Sequence, residues 1–338
     1  MREPPFWWRA AGIEACLLTP AAAIYGALAA SRLRREGYRA DVPVICIGNP
    51  TLGGAGKTPT ALAVAHMLKA AGEQLVILSR GYGGCQRGPL VVTPDRDLAT
   101  DVGDEPLLLA RVAPTVVAHD RVAGAKAAQA AGASVIVMDD GFQNPALAKD
   151  FSALVIDGRR GLGNGKVFPA GPLRAPLDAQ LARADAVILV GTVGEGAAAA
   201  GAAADARKLS LFYARLEPDR EAVAALAGRR VLAFAGIGDP EKVFATLREA
   251  GIAVAATRSF ADHHRYTPAD ARALCRQADA EGLTLVTTEK DQSRLLGEAA
   301  LWELAGRVRI LPVELVFEQA ATLGKLLIDR IAAARFTA

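Results

Sequence analysis

Residues 43–60 read P-V-I-C-I-G-N-P-T-L-G-G-A-G-K-T-P-T. The apolar run 42–47 predicts a buried strand, the glycines after it a tight loop, and the alanine-rich stretch from Lys57 a helix. Strand, glycine loop, G-K-T and helix form the arrangement that cradles phosphate. Glycines let backbone N–H groups close on phosphate oxygens, and the helix N-terminus adds favourable dipole charge. Thr51, Gly53, Gly54, Ala55, Gly56, Lys57 and Thr58 would bind the nucleotide. Lys57 would reach the β/γ-phosphates and the Thr58 hydroxyl would ligate Mg²⁺. Thr51 stands where the G-x-x-x-x-G-K-[ST] pattern has its first glycine. The expected ligand is a nucleoside triphosphate.

Downstream, 134–138 (S-V-I-V-M) predicts a strand that ends in Asp139-Asp140-Gly141-Phe142-Gln143. Two acids closing a buried strand, after a P-loop, suit a Mg²⁺ site at Asp139 and Asp140. Strand 74–78 ends in Ser79-Arg80-Gly81-Tyr82-Gly83-Gly84, a small-residue loop at the strand edge where α/β sheets bind ligands. Asp104 or Glu105 would cap helix 107–112, with Pro106 in its first turn, or serve metal or base chemistry. Asn164, Lys166 and Arg174 lie in an irregular stretch and would face phosphates. In the second half, Asp262-His263-His264 precedes a helix capped by Thr267-Pro268, an acid/base candidate; Thr288-Glu289-Lys290-Asp291 closes another strand.

Strands alternating with helices predict a mostly parallel α/β/α sheet of P-loop NTPase type at 41–215, followed by a smaller α/β/α lobe at 216–338. The low-complexity stretch 191–206 would form a surface loop or helix. Segments 208–216 and 307–317 alternate as exposed strands and would pair as a ribbon joining the lobes.

Of the 338 residues 51% are hydrophobic, which points to a globular chain. A net charge of +3 argues against nucleic acid as partner. The four cysteines have no C-x-x-C spacing, which fits reduced thiols rather than a zinc site. Residues 15–31 carry no charge; Trp7, Trp8 and Arg9 precede them, and Arg32, Arg34, Arg35 and Arg39 follow. Seventeen uncharged residues barely reach across a bilayer, and Pro20 and Gly26 weaken a straight span. Ala27-Leu28-Ala29 resembles a cleavage site, but an exported ATP site would find no ATP. The favoured reading for unit 1–40 is a membrane-associated helix lying in the interface, with a simple packed helix as the alternative.

Taken in order, G-N-P-T-L-G-G-A-G-K-T-P, S-R-G-Y-G-G, G-D-E-P, D-D-G-F-Q, F-A-D-H-H-x-Y-T and T-T-E-K-D resemble the tetraacyldisaccharide 4'-kinase family of Gram-negative bacteria. The resemblance implies ATP- and Mg²⁺-dependent phosphorylation of the 4'-hydroxyl of a tetraacylated glucosamine disaccharide 1-phosphate, in lipid A biosynthesis. The setting would be the cytoplasmic face of the inner membrane, with the chain acting as a monomer. It casts Lys57, Asp104 and His263 as catalytic and sets Asp104 and His263 as an acid–histidine pair near the acceptor hydroxyl. Asp104 is first choice to take the proton, oriented by His263, and the reverse assignment stays open. Arg80, Tyr82, Gln143 and Arg174 would bind substrate. The family pattern continues after G-P-L-R with glutamate, where this chain has Ala175. A GTPase or metallochaperone-type NTPase would share the cradle and the acid pair, but no N-K-x-D or T-K-x-D guanine motif is present.

Overall fold

The structure, a computed structural model, describes residues 3–337, so Met1, Arg2 and Ala338 of the expected end units lie outside it. Its strands in chain order are β1 (Val44–Gly48), β2 (Leu75–Ser79), β3 (Leu90–Val91), β4 (Thr115–Val117), β5 (Val135–Asp139), β6 (Phe151–Asp157), β7 (Ala186–Val190), β8 (Ser210–Pro218), β9 (Arg230–Ala235), β10 (Ala253–Ser259), β11 (Thr284–Thr287), β12 (Arg309–Ile310) and β13 (Val313–Phe317). They form a nine-stranded sheet, β13-β8-β7-β6-β1-β5-β2-β4-β3, and a four-stranded one, β10-β9-β11-β12. The interior of the large sheet is parallel; only its edges, β13 on β8 and β3 on β4, run antiparallel.

β1 is buried along its whole length because both faces of the sheet are covered. Val44 and Cys46 face one apolar layer, Ile45 and Ile47 the other, as a two-residue period requires. The second layer holds Ala61, Val64 and Leu68 of the helix Lys57–Ala70, together with Leu323, Leu327 and Ile331 of the C-terminal helix Ala320–Thr337. In the small sheet Leu232 and Phe234 pack on the helix Pro268–Glu281, while Val231, Ala233 and Ala235 pack on Phe244 and Leu247 of Pro240–Glu249.

The large sheet runs past the expected border at 216, since β8 continues to Pro218. β8 enters the smaller lobe and β13 leaves it, and these two pair antiparallel with Leu315 opposite Leu216, so the expected ribbon exists as an edge of the large sheet. The expected single strand 307–317 is instead two strands in two sheets. Pro312 divides them, since it has no N–H to continue a ladder. We therefore assign the smaller lobe to 219–312, an insertion between β8 and β13.

The helix Ile13–Leu33 has a mean hydropathy of 1.6 over its most apolar window, and only 22% of that window is buried. It touches the protein along Ala15, Ala22, Gly26 and Leu33, with Gly26 set against Pro176 and Val167. By length and composition it is able to cross a membrane.

Leu327 is fully buried between the C-terminal helix and the helix after the cradle. Leu327→Ala should cost about 2–4 kcal/mol in chemical denaturation.

Candidate active site

The cradle sits where the geometry of β1 puts it, at the strand's C-terminal end, with Gly56 (φ 90°) capping the helix that begins at Lys57. Gly53 is also left-handed (φ 97°), which a side chain would strain. Asn49, fully buried, holds the loop from below: its Nδ2 donates to the Gly53 carbonyl at 3.1 Å, and its own carbonyl accepts from Gln143 Nε2 at 2.8 Å. Thr51 completes the loop through its backbone, accepting from Arg174 Nε at 2.9 Å. The cradle's rim is met by the N-terminal segment. Glu3 lies against Gly53, pairs with Arg160 at 2.8 Å and accepts from Trp8 Nε1 at 3.0 Å.

β5 ends beside β1, so Asp139 and Asp140 arrive next to Lys57. Lys57 Nζ is 3.7 Å from Asp140 Oδ2, and Arg174 donates to Asp140 Oδ1 at 3.0 Å and to Gln143 Oε1 at 3.4 Å. Asp140 adopts a left-handed backbone (φ 54°), which turns its carboxylate out of the strand direction. Arg174, expected to face phosphates, is thus paired with the acid side of the cradle. Asp139 is buried and its Oδ1 has no hydrogen-bond partner. Burial, with the Asp140 charge, pushes its carboxyl up to about 7. A buried, unmatched carboxylate beside a second acid and a buried Thr58 is a donor set that suits a hard divalent cation.

Asp104 does not cap its helix. Gly103 is the N-cap of Asp104–Ala110, and the Asp104 carboxylate turns toward the other lobe. There Oδ1 lies 3.2 Å from His263 Nδ1, while Oδ2 accepts from Arg294 Nε at 2.9 Å and also from Nη2. Neighbouring Glu105 pairs with Lys290 at 2.5 Å. Asp104, Glu105 and His263 bring ligand atoms within 4.8 Å of one another, as a metal cage would. Arg294 and Lys290 already match the two acids, which makes this an ion-pair cluster. Burial would raise the Asp104 carboxyl, but the bond from His263 and the charges of Arg294 and Lys290 hold it far below the usual range. His263 moves up: burial lowers an imidazole, and Asp104, Glu105 and Asp262 outweigh it.

Tyr82, 65% exposed, sets its ring 5.0 Å from that of His263, tilted by 58°. Together with Asp104, Arg265 and Arg294 they line a cavity of about 140 Å³ between the lobes. Gln143 stands on the cradle side, with Gln180 bonded to it at 3.1 Å. Arg80 is exposed, near His119 and Arg121. Ala175 is buried and offers only its carbonyl, which accepts from Gln180 Nε2 at 2.8 Å. Arg294 escaped the sequence reading, although it lies one helical turn beyond Asp291 in the helix Glu289–Leu295, a spacing that sets both on one face.

Acids at the end of β5 beside a glycine-rich loop, with a buried acid–histidine contact at the cleft between the lobes, go beyond what a nucleotide switch needs. The protein is a P-loop phosphotransferase. The chain belongs to the tetraacyldisaccharide-1-P 4'-kinase (LpxK) family, whose pattern it matches over residues 14–332. It is 55% identical over 335 residues to the tetraacyldisaccharide 4'-kinase of Nitrobacter winogradskyi, covering 99% of both chains. To that of Rhodopseudomonas palustris strain BisB18 it is 56% identical over 335 residues, covering 99% of this chain and 97% of the other. The fold is similar to a crystal structure of LpxK from Aquifex aeolicus in complex with ATP, with a TM-score of 0.71 and 26% identity over 94% of this chain and 99% of that one.

Because the Asp139 carboxyl is raised above its unfolded value, its ionisation opposes folding. The cost is absent below about pH 4, grows up to about pH 7 and is complete above it. Without divalent cation, Asp139→Asn should therefore be more stable than the native protein by roughly 1–3 kcal/mol at alkaline pH, and no more stable near pH 4, by denaturant titration.

Proposed function

We propose that this protein transfers the γ-phosphoryl group of ATP to the 4'-hydroxyl of a tetraacylated glucosamine disaccharide 1-phosphate, at the cytoplasmic surface of the inner membrane. The observation that carries the reading is the Asp104–His263 contact, an acid and an imidazole from two lobes, which would handle the acceptor's proton. The family resemblance supplies the acceptor and the lipid A setting.

Backbone N–H groups from Gly53 to Thr58 would hold the triphosphate, and Lys57, now paired with Asp140, would turn to the β/γ-phosphates. Thr58, Asp139 and Asp140 would hold Mg²⁺, which when bound neutralises charge on the phosphate oxygens. Tyr82, Gln143, Arg80 and Arg174 would orient the acceptor. The 4'-oxygen forms its bond to the γ-phosphorus as the bond to the β–γ bridging oxygen breaks, leaving ADP. The acceptor's proton goes to His263. Asp104 is 3% exposed and its two oxygens already accept from His263 and Arg294, whereas His263 keeps 24% of its side chain accessible. Nε2 of the imidazole is therefore the better-placed acceptor, with Asp104 orienting the ring and stabilising its charged form. This reverses the order in which sequence alone ranks the two residues.

The acceptor's four acyl chains keep it in a bilayer, and the helix Ile13–Leu33 is suited to that surface. Ile13, Leu17, Ile24 and Leu28 are all exposed, and arginines stand at its C-terminal end.

Activity should fall as pH drops through the raised His263 value, because the neutral ring is the accepting form. Asp104→Asn removes the charge that raises it, so the acid limb of kcat should move to lower pH while the plateau falls on the order of 10²-fold. An unmoved limb would exclude His263 as the acceptor. Separately, the triple variant Leu17→Glu, Ile24→Glu, Leu28→Glu should release the protein from anionic vesicles in a sedimentation assay. It should retain transfer to acceptor dispersed in detergent; loss of both together would refute a membrane role for this face.

A further inference from the structure

Arg294 has 6% of its side chain exposed and spends its donors on both lobes. Nε donates to Asp104 Oδ2 at 2.9 Å, and Nη2 donates to the same oxygen. Nη1 donates to the Gly236 carbonyl at 2.6 Å and to Asp291 Oδ1 at 2.9 Å. That Gly236 carbonyl also accepts from the backbone N–H of His263 at 3.0 Å, where His263 adopts a left-handed conformation (φ 55°). One guanidinium is therefore bonded to the carboxylate of Asp104 and to the backbone group that fixes where His263 begins.

Behind it the network is closed. Asp291, fully buried, accepts from Tyr266 Oη at 2.9 Å and from the Gly236 N–H at 3.0 Å on Oδ1, and from Thr288 Oγ1 at 2.7 Å on Oδ2. Asp291 orients Arg294, and Arg294 reaches across the cleft. A guanidinium does this because its donors are fixed in one plane; an ammonium on a flexible stem cannot span the same acceptors.

We propose that Arg294 is a positioning residue for phosphoryl transfer, assembling the Asp104–His263 pair from two lobes. The proposal rests on the reading that this pair handles the acceptor's proton. Arg294 does not touch the reacting atoms; it acts through Asp104 and Gly236. When the lobes separate, Asp104 loses both partners at once, so the pair exists only in the closed arrangement.

The test measures phosphoryl transfer from labelled ATP to the acceptor lipid in detergent, across pH. It uses the full chain and its Arg294→Met, Arg294→Lys and His263→Ala variants. The charged and titratable groups facing the pair are Arg294, Glu105 with Lys290, Asp262 at 3.8 Å from His263 Nε2, and Asp291 and the ring of Tyr82. Removing only the cation should raise the value at which the pair titrates. Arg294→Met should lower kcat on the order of 10²-fold, leave the KM for ATP within about twofold, and move the acid limb to higher pH. Arg294→Lys keeps the charge and loses the bridge: its limb should stay in place while kcat falls at least about tenfold.

Native kcat and an unmoved limb in Arg294→Met, with His263→Ala inactive, would overturn the role of Arg294 and leave the pair intact. Native activity in His263→Ala would remove the pair and this inference with it. Should Arg294→Met fail to fold, native kcat in Arg294→Lys overturns the claim about geometry. Loss of ATP binding in step with kcat would assign Arg294 to the fold rather than to positioning.

Discussion

A carboxylate taken out of water must be matched, and Asp104 is matched from the other lobe. This requirement organises the molecule's two halves. Asp104 begins a helix of the large lobe, yet its partners, His263 and Arg294, belong to the insertion between β8 and β13. Leaving either partner behind would strand a buried charge, at a cost of several kcal/mol. The same logic recurs around the rim, where Lys290 meets Glu105, Lys242 meets Asp157, and Arg159 and Arg160 meet Asp239. Ion pairs of this kind add little net stability over an apolar contact; they favour one relative placement of two bodies. Here that placement is the one in which a cradle on β1 faces a histidine from the insertion.

The cradle is held by the residues next to it in space rather than in sequence. Asn49 ties Gly53 from below, Gln143 ties Asn49, and Arg174 links the Thr51 carbonyl to Asp140. Thr51 replaces a glycine in the usual loop pattern, and it contributes its backbone carbonyl to Arg174. Asp139 is the exception in this set. Its buried Oδ1 has no hydrogen-bond partner among the described residues, and so it has much to gain from a cation.

Much of this was legible in the chain. Strand ends carry the chemistry in an α/β sheet, so G-K-T after β1 and D-D after β5 announced one site from two short stretches. The cap at Thr267, with Pro268 after it, was equally plain, because the rule is local. The pairing of Asp104 with His263 came from the family resemblance; spacing alone would not bring residues so far apart together. Other features were hidden for physical reasons. Pro312 splits one alternating segment between two sheets, and periodicity does not report which sheet a strand joins. Arg294 looks like any polar residue in a short helix until the fold supplies Asp104. Lone charges reveal their roles only when tertiary contacts strip away water. Glu3, at the far end of the chain from the insertion, joins the rim through Arg160, a contact no local pattern encodes.

The position of β13 and the C-terminal helix has one more consequence, for biosynthesis. The helix that follows the cradle is covered by Leu323, Leu327 and Ile331, and the edge of its sheet is closed by β13. These residues emerge from the ribosome only after the whole insertion has been made. A nascent chain that already carries the cradle, the acid pair and Asp104 still lacks the layer that buries the cradle's helix. A chain interrupted within the insertion therefore lacks Leu323, Leu327 and Ile331, the residues that pack with Ala61, Val64 and Leu68 of that helix.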